Sequence, residues 1–159
     1  MSRFYKTAAW LVFWLALGSS LYYFFEAKLN PNTIEKEGSG QEVNLKRDPN
    51  GHYRAEALID GVKTTVLVDT GADDVSISQE FANKLGIKSQ SAIRTQTANG
   101  DTVGYFTRLD SVKLGGIEVT NVAALIVPNL GADALLGMSF LNRMDVRLHN
   151  GTMTIRSDN

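Results

Sequence analysis

One run constrains this chain more than any other: Val66-Leu67-Val68-Asp69-Thr70-Gly71-Ala72-Asp73-Asp74-Val75, aliphatic and β-branched up to the point where a carboxylate, a hydroxyl and a glycine interrupt it. An apolar run of that length reads as a buried strand, and Asp-Thr-Gly as the tight loop that ends it. The strand carries Asp69 to the edge of a core. A carboxylate held there needs hydrogen-bond partners or a chemical task.

Composition narrows the task. The chain has 159 residues, a formal net charge of −1 and no cysteine, so disulfide frameworks, thiol nucleophiles and thiolate metal sites are all excluded. Its two histidines, His52 and His149, stand far apart and in no HExxH pattern, which argues against an imidazole metal site. Basic residues are not in excess, so no nucleic-acid partner is expected. Hydrolytic chemistry would rest on carboxylates, hydroxyls or lysine, with no cofactor and no metal.

Residues Ala8 to Phe25 carry no charge and make roughly 27 Å of helix, close to the hydrocarbon thickness of a bilayer. Arg3 and Lys6 precede this stretch, while Glu26, Lys28, Glu35, Lys36 and Glu37 follow it. The positive-inside rule then predicts a single-pass inner-membrane protein, N-terminus in the cytoplasm and the rest on the periplasmic or extracytoplasmic side. A cleaved secretory signal, with Ala16-Leu17-Gly18 as the small-residue site, is the competing reading, and it exports the domain equally. Four bulky aromatics, Tyr22 to Phe25, continue the apolar run past that site and favour the anchor. The expected organisation is an anchor over 1–25, a flexible linker over 26–41 holding Asn-Pro-Asn and Gly-Ser-Gly, and one folded domain over 42–159.

In that domain the pattern is period two with frequent turn signals, which predicts an all-β barrel or sandwich. Asn50-Gly51, Asp60-Gly61, Asn99-Gly100, Gly115-Gly116 and Asn150-Gly151 read as hairpin turns. The implied strands are Val43 to Arg47, His52 to Asp60, Val62 to Val68, Ala92 to Ala98, Thr102 to Leu114, Ile117 to Val127, Ala134 to Leu136, Met144 to His149 and Thr152 to Ile155. Two short helices interrupt them, one capped by Ser78 and ending at Leu85-Gly86, the other over Met138 to Arg143.

Asp-Thr-Gly alone is a weak signal, but its surroundings are specific. It follows a strictly apolar strand, and a second apolar strand downstream ends in glycine at Ala134-Leu135-Leu136-Gly137. With these residues the chain resembles the retroviral-type aspartic proteases, the retropepsins, and especially their bacterial membrane-anchored single-domain members. The resemblance covers about residues 43 to 156 and implies a closed, one-lobe acid-protease barrel. It implies catalysis by Asp69, supported by Thr70 and Gly71, and substrate contacts from Ala72, Asp73, Asp74, Leu135 and Leu136. Asn99, Gly100, Asp101, Thr102 and Val103 fall where the family carries its mobile flap. Where retroviral enzymes place an arginine after the second strand, this chain has Met138, and Arg143 is the available substitute for pairing with Asp73. Thr152 to Ile155 matches loosely the strand that builds the family's dimer sheet.

Such enzymes use two carboxylates sharing one proton, because like charges so close cannot both ionise. This chain has a single Asp-Thr-Gly, so the dyad requires a homodimer. The substrate would be a protein or peptide, bound as an added strand. A serine-hydrolase reading of Gly137-Met138-Ser139, followed by Asp145 and His149, fails because Leu141 stands where a nucleophile elbow has glycine. A calcium loop over Asp69, Asp73 and Asp74 lacks the required D-x-D-x-D-G spacing. The alternative from another class is a membrane-tethered peptide-binding or assembly module that keeps the fold without turnover.

Overall fold

The structure is a computed structural model that describes residues 2–29, 41–89, 91–97 and 100–157, the side chains of 2–6, 26–29 and 97 excepted. The chain forms two compact units, the first being the N-terminal helix α1 (Ser2–Leu29). Its stretch Thr7–Phe25 is long and apolar enough to cross a membrane. A secretory signal passes the same test. The linker expected over 26–41 falls largely on residues outside those described.

The second unit is mostly β. Its strands are β1 (Glu42–Lys46), β2 (Tyr53–Ile59), β3 (Val62–Val68), β4 (Val75–Ser78), β5 (Ala92–Thr97), β6 (Gly100–Leu114), β7 (Ile117–Val127), β8 (Ala134–Leu136), β9 (Met144–His149) and β10 (Thr152–Ser157). Two short helices, α2 (Gln79–Leu85) and α3 (Met138–Leu141), interrupt them. The order β2-β3-β8-β4-β7-β6 closes on itself through pairing of β6 with β2, Ala57 opposite Leu114, making a closed six-stranded barrel. Alternate residues such as Ile59, Val66, Ile77, Leu109 and Ile126 fill the interior and are fully or almost fully buried. Each such side chain contributes about 1.5–3 kcal/mol on leaving water. A separate sheet, β1-β10-β9, packs its inner residues Val43, Leu45, Met153 and Ile155 into the same core.

The turn chemistry explains most of this. Asp60 and Gly61 have φ of 48° and 77°, and Asn150 and Gly151 have 46° and 76°. Positive φ at both central residues matches the twist of the flanking strands, which is why Asp-Gly and Asn-Gly make these hairpins. Ser78 caps α2 by accepting from the Phe81 amide, and Gly86 ends it at φ 72°.

Three expectations change. Asn50-Gly51 is a turn but joins no strand pair among the described residues, since β1 and β2 lie in different sheets and the chain between them makes the isolated bridge Arg47–Tyr53. The cause is Asp48, whose buried carboxylate accepts from the amides of Asn50 (2.9 Å) and His52 (2.8 Å) and turns the chain away. Strand β4, absent from the sequence reading, lies between the Asp-rich loop and α2. Finally, β10 is paired on both edges, by β1 and β9, so Thr152 to Ile155 has no free edge to offer a second copy.

Candidate active site

Strands β3 and β8 run parallel, with Val66, Leu67 and Val68 opposite Ala134, Leu135 and Leu136. The loop 69–74 leaves β3, crosses the end of β8 and enters β4, which pairs antiparallel with β8 and parallel with β7. Four backbone features fix it. The Asp69 amide donates to the Leu136 carbonyl (3.0 Å), Met138 to that of Ala72 (2.8 Å) and Ser139 to that of Asp73 (2.8 Å). Gly137 sits directly beneath, where a Cβ would stand 2.3 Å from the Asp74 carbonyl oxygen. This close approach is the physical reason for a glycine at the end of the second apolar strand.

Within the loop, the Gly71 amide donates to Asp69 Oδ1 at 2.8 Å, orienting a half-buried carboxylate. Among the described residues, Asp69 Oδ2 and the exposed Thr70 hydroxyl have no hydrogen-bond partner. The side chain of Ser139, the rival nucleophile, is committed to structure. Its hydroxyl donates to the Ala123 carbonyl (2.8 Å) and accepts from the Val75 amide (2.9 Å), tying α3 to β7 and β4.

Asp69 lies in a cavity of about 760 Å³, shared with Thr70, Gly71, Ala72, Asp73 and Asp74. One wall follows from register. Leu67, Leu135, Ser76 and Leu125 are cross-strand neighbours along β3, β8, β4 and β7, so they share the face opposite the core, and all four line the cavity. From β5 come Ile93, Arg94, Thr95 and Gln96.

The remaining expected site residues lie elsewhere or outside the description. Leu136 is fully buried in the core, because alternation turns it away from the face of Leu135. Asn99 lies outside the described residues; the last described pair of the β5–β6 hairpin is Thr97 opposite Gly100. Gly100, Asp101, Thr102 and Val103 belong to β6, but the hairpin meets the cavity through β5. Ile93, Arg94, Thr95 and Gln96 were therefore missed, and no local pattern in β5 marks them as facing the cavity. Arg143 does not pair with Asp73. It donates to the carbonyls of Thr120 (3.0 Å) and Asn121 (3.4 Å), because α3 ends at Leu141 and the chain turns toward β9 before Arg143 can reach back.

Residues 55–143 match the family model described as "gag-polyprotein putative aspartyl protease". An uncharacterised protein encoded in the cobV 5′ region of a Sinorhizobium species is 34% identical over 89% of this chain and 67% of its own length. An uncharacterised Rickettsia prowazekii protein is 36% identical over 64% of this chain, which spans only 45% of that relative. Among solved structures, a retropepsin-like aspartic protease from Rickettsia conorii superposes with a TM-score of 0.62 at 31% identity, covering 73% of this chain and 90% of that one.

Proposed function

This chain belongs to the gag-polyprotein aspartyl protease family and has the retropepsin-like fold, and from that premise we propose that it is a membrane-anchored aspartic endopeptidase working as a homodimer. The observation that carries the proposal is the Asp69 carboxylate. It is half-buried in a cleft, held by the Gly71 amide through one oxygen, and its other oxygen has no partner among the described residues.

Two such loops facing one another across a two-fold axis supply the two carboxylates that one chain lacks. The ionised one takes a proton from a water as that water attacks the scissile carbonyl carbon, and the protonated one donates a hydrogen bond to the carbonyl oxygen. Thr70 would join the loops through its hydroxyl, and Gly71 leaves room for the loop amide beside the carboxylate. Ala72, Asp73 and Asp74 would meet the substrate backbone. Leu67, Leu135 and Leu125 offer apolar surface for side chains beside the scissile bond, and the β5–β6 hairpin would act as the flap that adds a strand to the peptide.

Residues 1–25 are assigned to an inner-membrane anchor, 26–41 to a tether and 42–159 to a protease domain outside the cytoplasm. Arg3 and Lys6 on the near side of the apolar helix support that orientation. The test compares wild type with Asp69→Asn. A protease loses all peptide cleavage on this substitution, whereas a non-catalytic peptide-binding module keeps its affinity and had no cleavage to lose.

A further inference from the structure

Strand β9 is the outer strand of the sheet β1-β10-β9 and, among the described residues, pairs only with β10. The β9–β10 loop has two residues, Asn150 and Gly151, both at positive φ, so the closing pair His149 and Thr152 exchanges both backbone hydrogen bonds. Alternation then fixes the rest of the strand. Asp145 and Arg147 direct their backbone groups at β10, while Met144, Val146 and Leu148 direct theirs at the open edge.

Among the described residues no strand covers that edge and no proline interrupts it, and its charges, Asp145 and Arg147, pair with each other. Leu148 is 58% exposed even though its cross-strand neighbours Met153 and Leu45 are buried. Leu148 and Met153 also line the cavity that holds Asp69, so the open edge adjoins the incomplete site.

We propose that this edge is the seam of the dimer: β9 pairs antiparallel with β9 of a second copy about a two-fold axis through Val146. The inference rests on the dimeric-protease reading and adds which strand joins the copies and in which register. The result is a continuous sheet β1-β10-β9-β9-β10-β1. The opposite edge of the sheet, β1, presents no comparable apolar surface, because Val43 and Leu45 are already buried.

Overlap and charge together select the register, since an axis through Met144 would pair only the end of β9. Asp145 and Arg147 stand on one face of β9 and pair within the chain at 2.8 Å. An axis through Val146 sets Asp145 opposite the partner's Arg147, and the reverse by symmetry, and seats Leu148 against the partner's Met144. It also brings outward backbone donors and acceptors face to face. Moving the axis to Arg147 or Asp145 opposes like charges, and moving it to Leu148 sets Arg147 against the partner's His149.

The protein has no cysteine, so Val146→Cys introduces a lone thiol, and a backbone-paired position has Cα atoms about 5.5 Å apart, within disulfide range. The full-length chain carrying Asp69→Asn and Val146→Cys, reconstituted in lipid vesicles and mildly oxidised, should form a covalent dimer. Lys46→Cys on β1 should not. Adding Arg147→Glu or Asp145→Arg places like charges across both symmetric contacts and should lower the yield at least about tenfold. Mixing those two variants should restore it, because each presents the complement of the other. Amine cross-linking of the same vesicles reports any dimer independently. A dimer without the Val146→Cys bond, or a bond indifferent to both reversals, overturns the β9 seam while leaving the dimeric protease standing. Absence of any dimer removes both.

Discussion

A Cβ on Gly137 would lie 2.3 Å from the Asp74 carbonyl oxygen and 2.7 Å from that of Ala72, both backbone atoms of the loop that carries Asp69. Gly137→Ala is therefore expected to cost about 3 kcal/mol, read as a lowered denaturation midpoint, because the loop has no flexible side chain to give way. Asp48 is the other residue whose environment decides an outcome. Burial pushes its carboxyl up, but the amides of His52 and Asn50 and the Arg54 guanidinium outweigh burial and hold it below the usual carboxylate range. A depressed folded-state pKa means stability that is present above about pH 4, the unfolded value, and lost as pH falls through the folded one. Asp48→Asn should be less stable than wild type by about 1–2 kcal/mol at pH 7, with the gap closing toward pH 3 in denaturant titrations. Asp69 and Gly137 were legible in the sequence because strand ends and glycine announce themselves locally. The role of Ser139 was not, since its two bonds reach Ala123 and Val75, far away along the chain.

At the scale of elements, the hairpins were legible wherever a two-residue Gly turn joined alternating runs. β4 was not. Its four residues, Val75–Ser78, lie between an acidic loop and a helix cap, and it is a strand only because β7 and β8 flank it. That overlooked strand supplies Ser76, the one polar side chain in the wall formed with Leu67, Leu135 and Leu125. Ser76→Leu should leave folding intact and narrow the cleft. In a cleavage assay, kcat/KM should fall about tenfold for peptides with bulky residues beside the scissile bond and less for small ones. The β5–β6 hairpin, proposed above as the flap, shows the same limit of sequence reading: the hairpin was foreseeable, but which of its strands faces the cleft depended on register against β7, where Gly104 leaves room beside Thr95 and Val127.

For the whole molecule, the barrel was legible as a class, while its closure through β2 and β6 depends on contacts that no local pattern encodes. The proposed anchor would confine copies to a plane and raise their effective concentration, so that a weak seam would suffice there. Residues 41–159 alone are accordingly expected to be monomeric at micromolar concentration on sedimentation and inactive when dilute. The central claim is that the working site takes one Asp69 from each of two copies, and subunit mixing tests it directly. Full-length wild type and Asp69→Asn are co-reconstituted in vesicles at fixed total protein and assayed on a peptide library by mass spectrometry. A shared dyad predicts activity following the square of the wild-type fraction, about one quarter at an equal mixture. Activity of one half at that mixture would mean that each chain acts alone, and undiminished activity would mean that Asp69 is not the catalytic carboxylate.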